Sequence, residues 1–272
     1  MKKCLLVALF FSLLSWKQIQ DNRTKNFPKT VEYVQQFPAK ENVWVFLMAG
    51  QSNMAGRGIV EPQDTVSDKR ILSIDAKGKL VYAKEPLHFY EPTRTGLDCG
   101  LSFGRALLEK IPANVTVLIL PTAIGGSAIR QWLGDSSYRG VNLLTNFREK
   151  VAIGKQYGKI KGILWHQGES DANKERIPVY KDRLTELFAS FRNIIGDEKL
   201  PVFIGELGAY SKNTNEWLQI NKIIHAYAAE DKLATVIRTD DLSHVGDTVH
   251  FNSAGQRMIG ERFAHAYLSK RK

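Results

Sequence analysis

A serine hydroxyl becomes a nucleophile only when a neighbouring base takes its proton. Ser52 stands in Gly50-Gln51-Ser52-Asn53-Met54-Ala55-Gly56, directly after an apolar run. A strand-to-helix turn there would lift its hydroxyl to a sheet edge. The same position suits a plain helix N-cap; the flanking glycines and a distant acid–base pair favour the nucleophile. That pair is Asp247 and His250. D-x-x-H spacing lets the aspartate accept from one imidazole nitrogen while the other faces a serine. Asp240 and Asp241 are rival acids, but they read equally well as turn residues. Acyl transfer also needs donors aimed at a carbonyl oxygen as it becomes negative. The backbone N–H groups of Ser52 and Gly126 and the side-chain amide of Gln167 would supply three, an oxyanion hole. Gln51, Asn53, Gly125, Arg130 and Glu169 are expected as supporting or substrate-binding groups, with Glu169 holding a loop rather than acting as an acid. Trp132 and Trp165 are candidates for the wall of a cleft, although core packing is the default for Trp165.

A different chemistry is open to the same loop. His244, Asp247 and His250 form H-x-x-D-x-x-H, and all three are metal-ligand types. A metal-dependent hydrolase built on them would leave the Ser52 segment without a purpose. The two cysteines, Cys4 and Cys99, exclude a four-cysteine zinc site and a disulfide scaffold.

Five short, β-rich apolar runs must position these groups: Val43–Ala49, Val115–Leu120, Ile160–Trp165, Pro201–Glu206 and Ala234–Arg238. They are apolar on both faces, as buried parallel strands are. Segments of helical character separate them, near 101–111, 141–157, 176–195, 215–230 and 253–268. The clearest places Tyr180, Leu184, Leu187, Phe188, Phe191 and Ile195 at helical spacing and stops at Gly196. A short hairpin is expected near 71–82, turning at Lys77-Gly78. The alternation predicts a three-layer α/β fold with a five-stranded parallel sheet, one domain over 43–269. In such a sheet the ligand crevice lies outside the carboxyl ends of the strands. The polar and glycine-rich segments named above follow the strands there.

The formal charge of +10 over 272 residues suggests an anionic partner until it is located. Lys2 and Lys3, the stretch 17–40, and Lys270 to Lys272 carry eight of those ten units, leaving +2 for 41–269. A nucleic-acid-binding domain needs its basic residues on a folded face, so no nucleic-acid partner is expected. Lys2-Lys3 and the apolar run Cys4–Trp16 fit an export signal over 1–16, too short for a membrane span. Residues 17–42 read as a linker or arm, and a periplasmic or secreted location without a stable span is expected. The sequence sets no oligomeric state.

Taken together, GQSNMAGRG from Gly50, the GGS turn at Gly125–Ser127, WHQGESD from Trp165 and DTVH at Asp247–His250 resemble the SGNH hydrolases. More narrowly they resemble the sialate O-acetylesterase-like group that includes carbohydrate esterase family 6. Glu85-Pro-Leu-His88 and Asp98-Cys-Gly-Leu-Ser102 resemble it too, and the likeness spans about 43–268. It implies a flavodoxin-like fold, Ser52, Asp247 and His250 as catalytic triad, and Gly126 and Gln167 in the oxyanion hole. Ser52, in Gly50-Gln51-Ser52-Asn53-Met54, does not stand in a G-x-S-x-G elbow, which disfavours an α/β-hydrolase lipase built on it. The implied reaction is hydrolysis of an acetyl ester on a carbohydrate, with no metal or organic cofactor. Acetylated xylan or a related plant polysaccharide is the first expectation and O-acetylated sialic acid the alternative. A catalytically idle carbohydrate-binding protein on the same fold is a further rival, which the intact serine, histidine and aspartate oppose.

Overall fold

A computed structural model describes residues 22–270. The apolar run read as an export signal lies outside the described residues. The strands are β1 (Val43–Gly50), β2 (Ile71–Ile74), β3 (Leu80–Tyr82), β4 (Thr116–Pro121), β5 (Ser137–Tyr138), β6 (Val141–Asn142), β7 (Lys159–His166), β8 (Val202–Gly205) and β9 (Ala234–Ile237). The helices are α1 (Ser52–Ala55), α2 (Gly100–Leu108), α3 (Ile129–Leu133), α4 (Leu143–Tyr157), α5 (Tyr180–Ile195), α6 (Thr214–Glu230) and α7 (Ser253–Lys270).

The main sheet runs β3-β2-β4-β1-β7-β8-β9. All its pairings are parallel except β2 with β3. Five strands were expected and seven are found. The extra two are the hairpin near 71–82, which joins the sheet through Ile71 opposite Val117 and Leu72 opposite Leu118. Its local pattern marks a hairpin but carries no sign of its partner, because strand pairing at a distance is set by tertiary contacts. Residues 22–42 lie partly along the outer edge of β3. Val34 N–H donates to Leu80 O at 3.1 Å, and Tyr82 N–H donates to Glu32 O at 2.9 Å. An edge strand leaves its amides unpaired, and this segment covers them.

Strand β1 shows how the layers form. Val43, Val45, Leu47 and Ala49 face one apolar cluster, shared with α4, α5 and α6. Trp44, Phe46 and Met48 face a second, shared with α2 and α7. Alternate side chains point to opposite faces, so a strand covered on both sides must be apolar throughout. Helix α5 buries the six residues expected of it and ends at Gly196, whose φ of 71° permits the left-handed cap. Trp132 and Trp165 are both fully buried, with ring centroids 5.5 Å apart. They belong to the core and do not line a cleft, because the α3–α5 contact closes over them. The segment expected to turn helical from 141 starts its helix at Leu143. Just before it, β5 and β6 form a separate hairpin through Arg139 and Gly140.

Candidate active site

Four strand ends converge. β1 stops at Gly50, whose φ is 135°; a Cβ there would sit 2.1 Å from His166 O on β7. Only glycine permits that approach. Gln51 N–H then bonds His166 O at 2.9 Å, and α1 begins with Ser52, which is 4% exposed. After β9 the chain runs through a loop to Asp247 and His250. His250 Nδ1 lies 2.5 Å from Asp247 Oδ2, and His250 Nε2 lies 2.9 Å from Ser52 Oγ. A ring that donates from Nδ1 to a carboxylate presents Nε2 as an acceptor, so the Ser52 hydroxyl donates to it. Burial pulls the Asp247 carboxyl upward in pKa. Hydrogen bonds from the His250 backbone and ring and from Val249 N–H outweigh it and hold the group below its ordinary value.

Asn53 ties this loop to α1. Its Nδ2 donates to Val249 O at 3.0 Å and to Glu169 Oε1 at 2.6 Å, and its Oδ1 accepts from Phe251 N–H at 3.0 Å. Glu169 thus stands behind Asn53, which grips the backbone on both sides of His250. His166 donates from Nε2 to Glu206 O at 2.8 Å; burial lowers its pKa, and its Nδ1 stands 3.8 Å from Glu169 Oε1.

The N–H groups of Ser52 and Gly126 donate to no partner among the described residues. Gln167 differs from expectation. It is fully buried, and its Nε2 donates to Asp171 Oδ2 at 2.6 Å and lies 3.2 Å from Ser127 O and 3.3 Å from Gln51 Oε1. Two amide hydrogens facing three acceptors leave no donor for an ester oxygen. A buried carboxylate is the strongest competitor for such a donor, and Asp171 wins it. Gln167 therefore supports Gln51, whose Oε1 also accepts from Ser170 N–H at 3.1 Å. Arg130 is exposed on α3 and its side chain makes no hydrogen bond among the described residues.

Three groups around Gly125 and Gly126 escaped the sequence. Glu91 Oε2 accepts from Gly125 N–H at 2.6 Å and from Arg57 Nη2 at 2.9 Å, while Glu91 Oε1 accepts from Arg139 Nη1. Arg57 was visible within GQSNMAGRG; Glu91 and Arg139 lie in unrelated segments without a motif. Behind this turn His88 Nδ1 lies 2.8 Å from Asp98 Oδ2, and its Nε2 accepts from Ala123 N–H at 3.3 Å. Glu85 accepts from the N–H groups of Leu87, Asp98 and Leu101.

The metal alternative finds no geometry. His244 Nδ1 accepts from Gly246 N–H at 2.9 Å and Thr248 N–H at 3.1 Å, within its own loop. Among the described residues no three His, Cys, Asp or Glu side chains are grouped as a metal would need.

A mostly parallel sheet flanked by helices, with serine, histidine and aspartate meeting at its carboxyl edge, is the architecture of an SGNH-type hydrolase. The family described as carbohydrate esterase, sialic acid-specific acetylesterase matches residues 42–269, and the chain belongs to it. It is an esterase. A probable carbohydrate esterase of Arabidopsis thaliana is 28% identical over 249 residues, covering 83% of this chain and 90% of that protein. The solved structure of that Arabidopsis protein superposes with a TM-score of 0.71 at 25% identity, covering 84% of this chain and 98% of the other. NanS shares the fold with a TM-score of 0.67 at 18% identity, covering 86% and 99%. A carbohydrate acetylesterase from Xanthomonas citri shares it at 0.62 and 19%, covering 83% and 55%.

Proposed function

We propose that the protein removes acetyl groups from O-acetylated sugars by a Ser52–His250–Asp247 mechanism. The observation that carries this reading is the unbroken line from Asp247 Oδ2 through His250 to Ser52 Oγ, with bonds of 2.5 and 2.9 Å. Ser52 Oγ attacks the acetyl carbonyl while His250 Nε2 takes its proton. The N–H groups of Ser52 and Gly126, without a partner among the described residues, receive the oxyanion. Collapse expels the sugar alkoxide, which takes the proton from His250. Water then attacks the acetyl-enzyme with His250 as base, releasing acetate. Asp247 holds the ring in the tautomer that leaves Nε2 free and offsets its charge when protonated. Asn53 and Glu169 keep the loop in register with α1, and Gln167 acts at one remove by fixing Gln51.

The family description names sialic acid, and the relatives are described as carbohydrate esterases. Acetylated xylan and O-acetylated sialic acid are therefore the polymers and sugars to assay. The test of the mechanism is hydrolysis of a chromogenic acetate ester by the wild type and by Ser52→Ala. A fall of about 10⁴- to 10⁶-fold is expected. Full activity in the mutant would sink the serine mechanism.

A further inference from the structure

Resting on the acetylesterase reading above, we propose that Glu91 is a positioning residue for the oxyanion hole: through Arg57 and Arg139 it clamps the Gly125–Gly126 turn to the end of α1 and to the β5–β6 hairpin. The starting observation is where the turn's backbone groups go. Ile124 N–H donates to Gly50 O at 3.2 Å, Ser127 N–H to Ile124 O at 3.3 Å and Ala128 N–H to Gln131 Oε1 at 2.8 Å. Gly126 O accepts from Ser170 Oγ at 3.0 Å. Gly125 N–H donates to Glu91 Oε2 at 2.6 Å, the shortest of these bonds and the one made to a carboxylate. Of these donors Gly126 N–H alone has no partner among the described residues. A turn whose other groups are satisfied holds that N–H in place for an ester oxygen.

Glu91 is held as firmly as the turn it holds. Its side chain is 6% exposed. Its own carbonyl accepts from Arg94 N–H and Thr95 N–H, both at 2.8 Å. Its Oε2 takes Arg57 Nη2 at 2.9 Å beside the Gly125 N–H, and its Oε1 takes Arg139 Nη1. Burial pulls the carboxyl upward in pKa. Arg57, the Gly125 N–H and Arg139 outweigh it and hold the group below its ordinary value. The bond to Gly125 is therefore charge-assisted, the stronger kind. Position 125 must be glycine for this packing, because a Cβ there would lie 2.1 Å from Arg57 Nη2 and 2.6 Å from Glu91 Oε2.

The two arginines lead to the two sides of the hole. Arg57 stands just after α1, the helix that opens with Ser52, and its Nη1 donates to Gly56 O at 2.7 Å. The Glu91–Arg57 bond thus ties the segment carrying one oxyanion donor, Ser52 N–H, to the turn carrying the other. Arg139 reaches Glu91 from the hairpin tip. It has φ of 50° and Gly140 has φ of 77°, the pattern of a two-residue type I′ turn. Asparagine, aspartate or glycine normally takes the first of these positions, because a bulky side chain is strained at positive φ. A long side chain kept there points to a task at its far end, and that end is bonded to Glu91. A Cβ on Gly126 would lie 2.9 Å from Tyr138 Oη and 3.5 Å from Arg139 Nη2, so the hairpin abuts the turn. Oxyanion donors act at full strength only where they need not move as charge develops, and a displaced donor loses much of its effect.

The experiment measures kcat and KM of the full chain on a chromogenic acetate ester, and the Ki of a trifluoromethyl ketone whose adduct with a serine places an oxyanion in the hole. Acylation and deacylation both pass through a tetrahedral oxyanion, so whichever step limits kcat reports on the hole. Glu91→Gln offers one acceptor oxygen in place of two, and its NH2 group would face an arginine. It should lower kcat by about 10- to 100-fold with KM within about threefold, and weaken the ketone by the same factor as kcat. Arg139→Asn keeps the turn type and removes one arm of the clamp, so a loss of about 3- to 10-fold in kcat and in ketone affinity is expected. Should Glu91→Gln fold poorly, Arg139→Asn carries the test. The pH profile of kcat/KM should keep its shape in both variants, because His250 and Asp247 are untouched. A lowered Tm with kcat per folded molecule and Ki unchanged would make the cluster a structural brace and overturn the proposal. A raised KM at constant kcat would overturn it too, since the cluster would then meet the substrate directly. So would a kcat that rises when the carboxylate is removed, which would mean that Glu91 acts through its charge and not through placement. A wild type that leaves the acetate ester uncleaved overturns the acetylesterase reading and this one with it. A wild type that is active and sensitive to Ser52→Ala, with both clamp variants indifferent, overturns the positioning role alone.

Discussion

The structure holds two aspartate–histidine pairs, and the proposed mechanism uses only one of them. Asp247 and His250 meet at 2.5 Å, with side chains 41% and 23% exposed. Asp98 and His88 meet at 2.8 Å, with side chains 0% and 1% exposed. In each pair the carboxylate faces Nδ1, so in each the ring offers Nε2 as an acceptor. The difference lies in what that nitrogen accepts. His250 accepts a hydroxyl proton from Ser52, whereas His88 accepts the N–H of Ala123. A hydroxyl can give its proton away and become a nucleophile; a peptide N–H cannot at these pH values. The pair itself is not a catalytic signature. Its third partner decides between chemistry and architecture.

Exchanging the third-partner roles should separate activity from stability. His250→Ala is expected to lower kcat on an acetate ester by about 10⁴- to 10⁶-fold while moving Tm little, since the ring is partly solvated. His88→Ala should do the opposite in kind. It takes the ring donor from the buried Asp98, whose Oδ1 keeps only the Gly100 N–H at 2.7 Å, and the loss costs about 1–3 kcal/mol. For a chain of this size each kcal/mol shifts Tm by about 2–4 °C, so calorimetry would see the loss directly. A stable, active His88→Ala would show that the buried pair is dispensable and would blunt the comparison.

The aspartates should separate similarly, with smaller effects. Asp247→Asn keeps the shape of the loop but favours the wrong tautomer of His250, and a fall of about 10²- to 10⁴-fold in kcat is expected. Asp98→Asn should leave kcat per folded molecule near the wild type and lower Tm. Cys99 offers a second readout of that change. Burial, and then the charge of Asp98, push its thiol well above its ordinary pKa, and it is 1% exposed. It should react slowly with a thiol reagent in the wild type and faster once Asp98→Asn loosens the region.

Much of the first region was legible and little of the second. Ser52, Asp247 and His250 occur in short motifs at the ends of apolar runs, and a parallel sheet collects strand ends at one edge. Sequence order and strand ends therefore placed them. His88 and Asp98 also drew notice as parts of two motifs, but nothing local says that they pair with each other. Gln167 shows a different limit. Its neighbours correctly mark the loop as part of the site, yet which acceptor takes its amide depends on Asp171 being buried four residues later. The β2–β4 pairing and the Arg57–Glu91–Arg139 cluster were invisible for the same reason: they join segments whose proximity only the packed fold creates. Trp132 and Trp165 were open to a cleft role because aromatic side chains suit both sugars and cores, and burial alone decides between the two.

Asn53 tests how far the Asp247–His250 loop depends on its anchor. It bonds Val249 O and Phe251 N–H on either side of His250, and Glu169 behind it. Asn53→Ala should let the ring drift from Ser52. A loss of about 10- to 100-fold in kcat is expected from misplacement alone, together with about 1–3 kcal/mol of stability. Glu169→Gln should be milder, because the amide carbonyl can still accept from Asn53. If Asn53→Ala retains wild-type kcat, the loop holds its geometry without the staple.

The smallest effect is the acid response of Asp247. Its carboxyl is held below the ordinary aspartate value in the folded protein. The unfolded chain therefore binds a proton more readily than the folded one, and folding stability rises with pH across that interval. The contribution is fully present above the unfolded value, about 3.9, and disappears as pH falls through the lower folded value. The difference in Tm between wild type and Asp247→Asn should accordingly stay flat from neutral pH down to about 4 and close below it. The same comparison for a buried pair would be larger and would reflect lost packing as well as charge. A gap that stays open under strong acid would mean that Asp247 stabilises the loop by shape and not by its charge. Its hydrogen bonds to the Val249 and His250 backbone would then matter more than the charge on its bond to the ring.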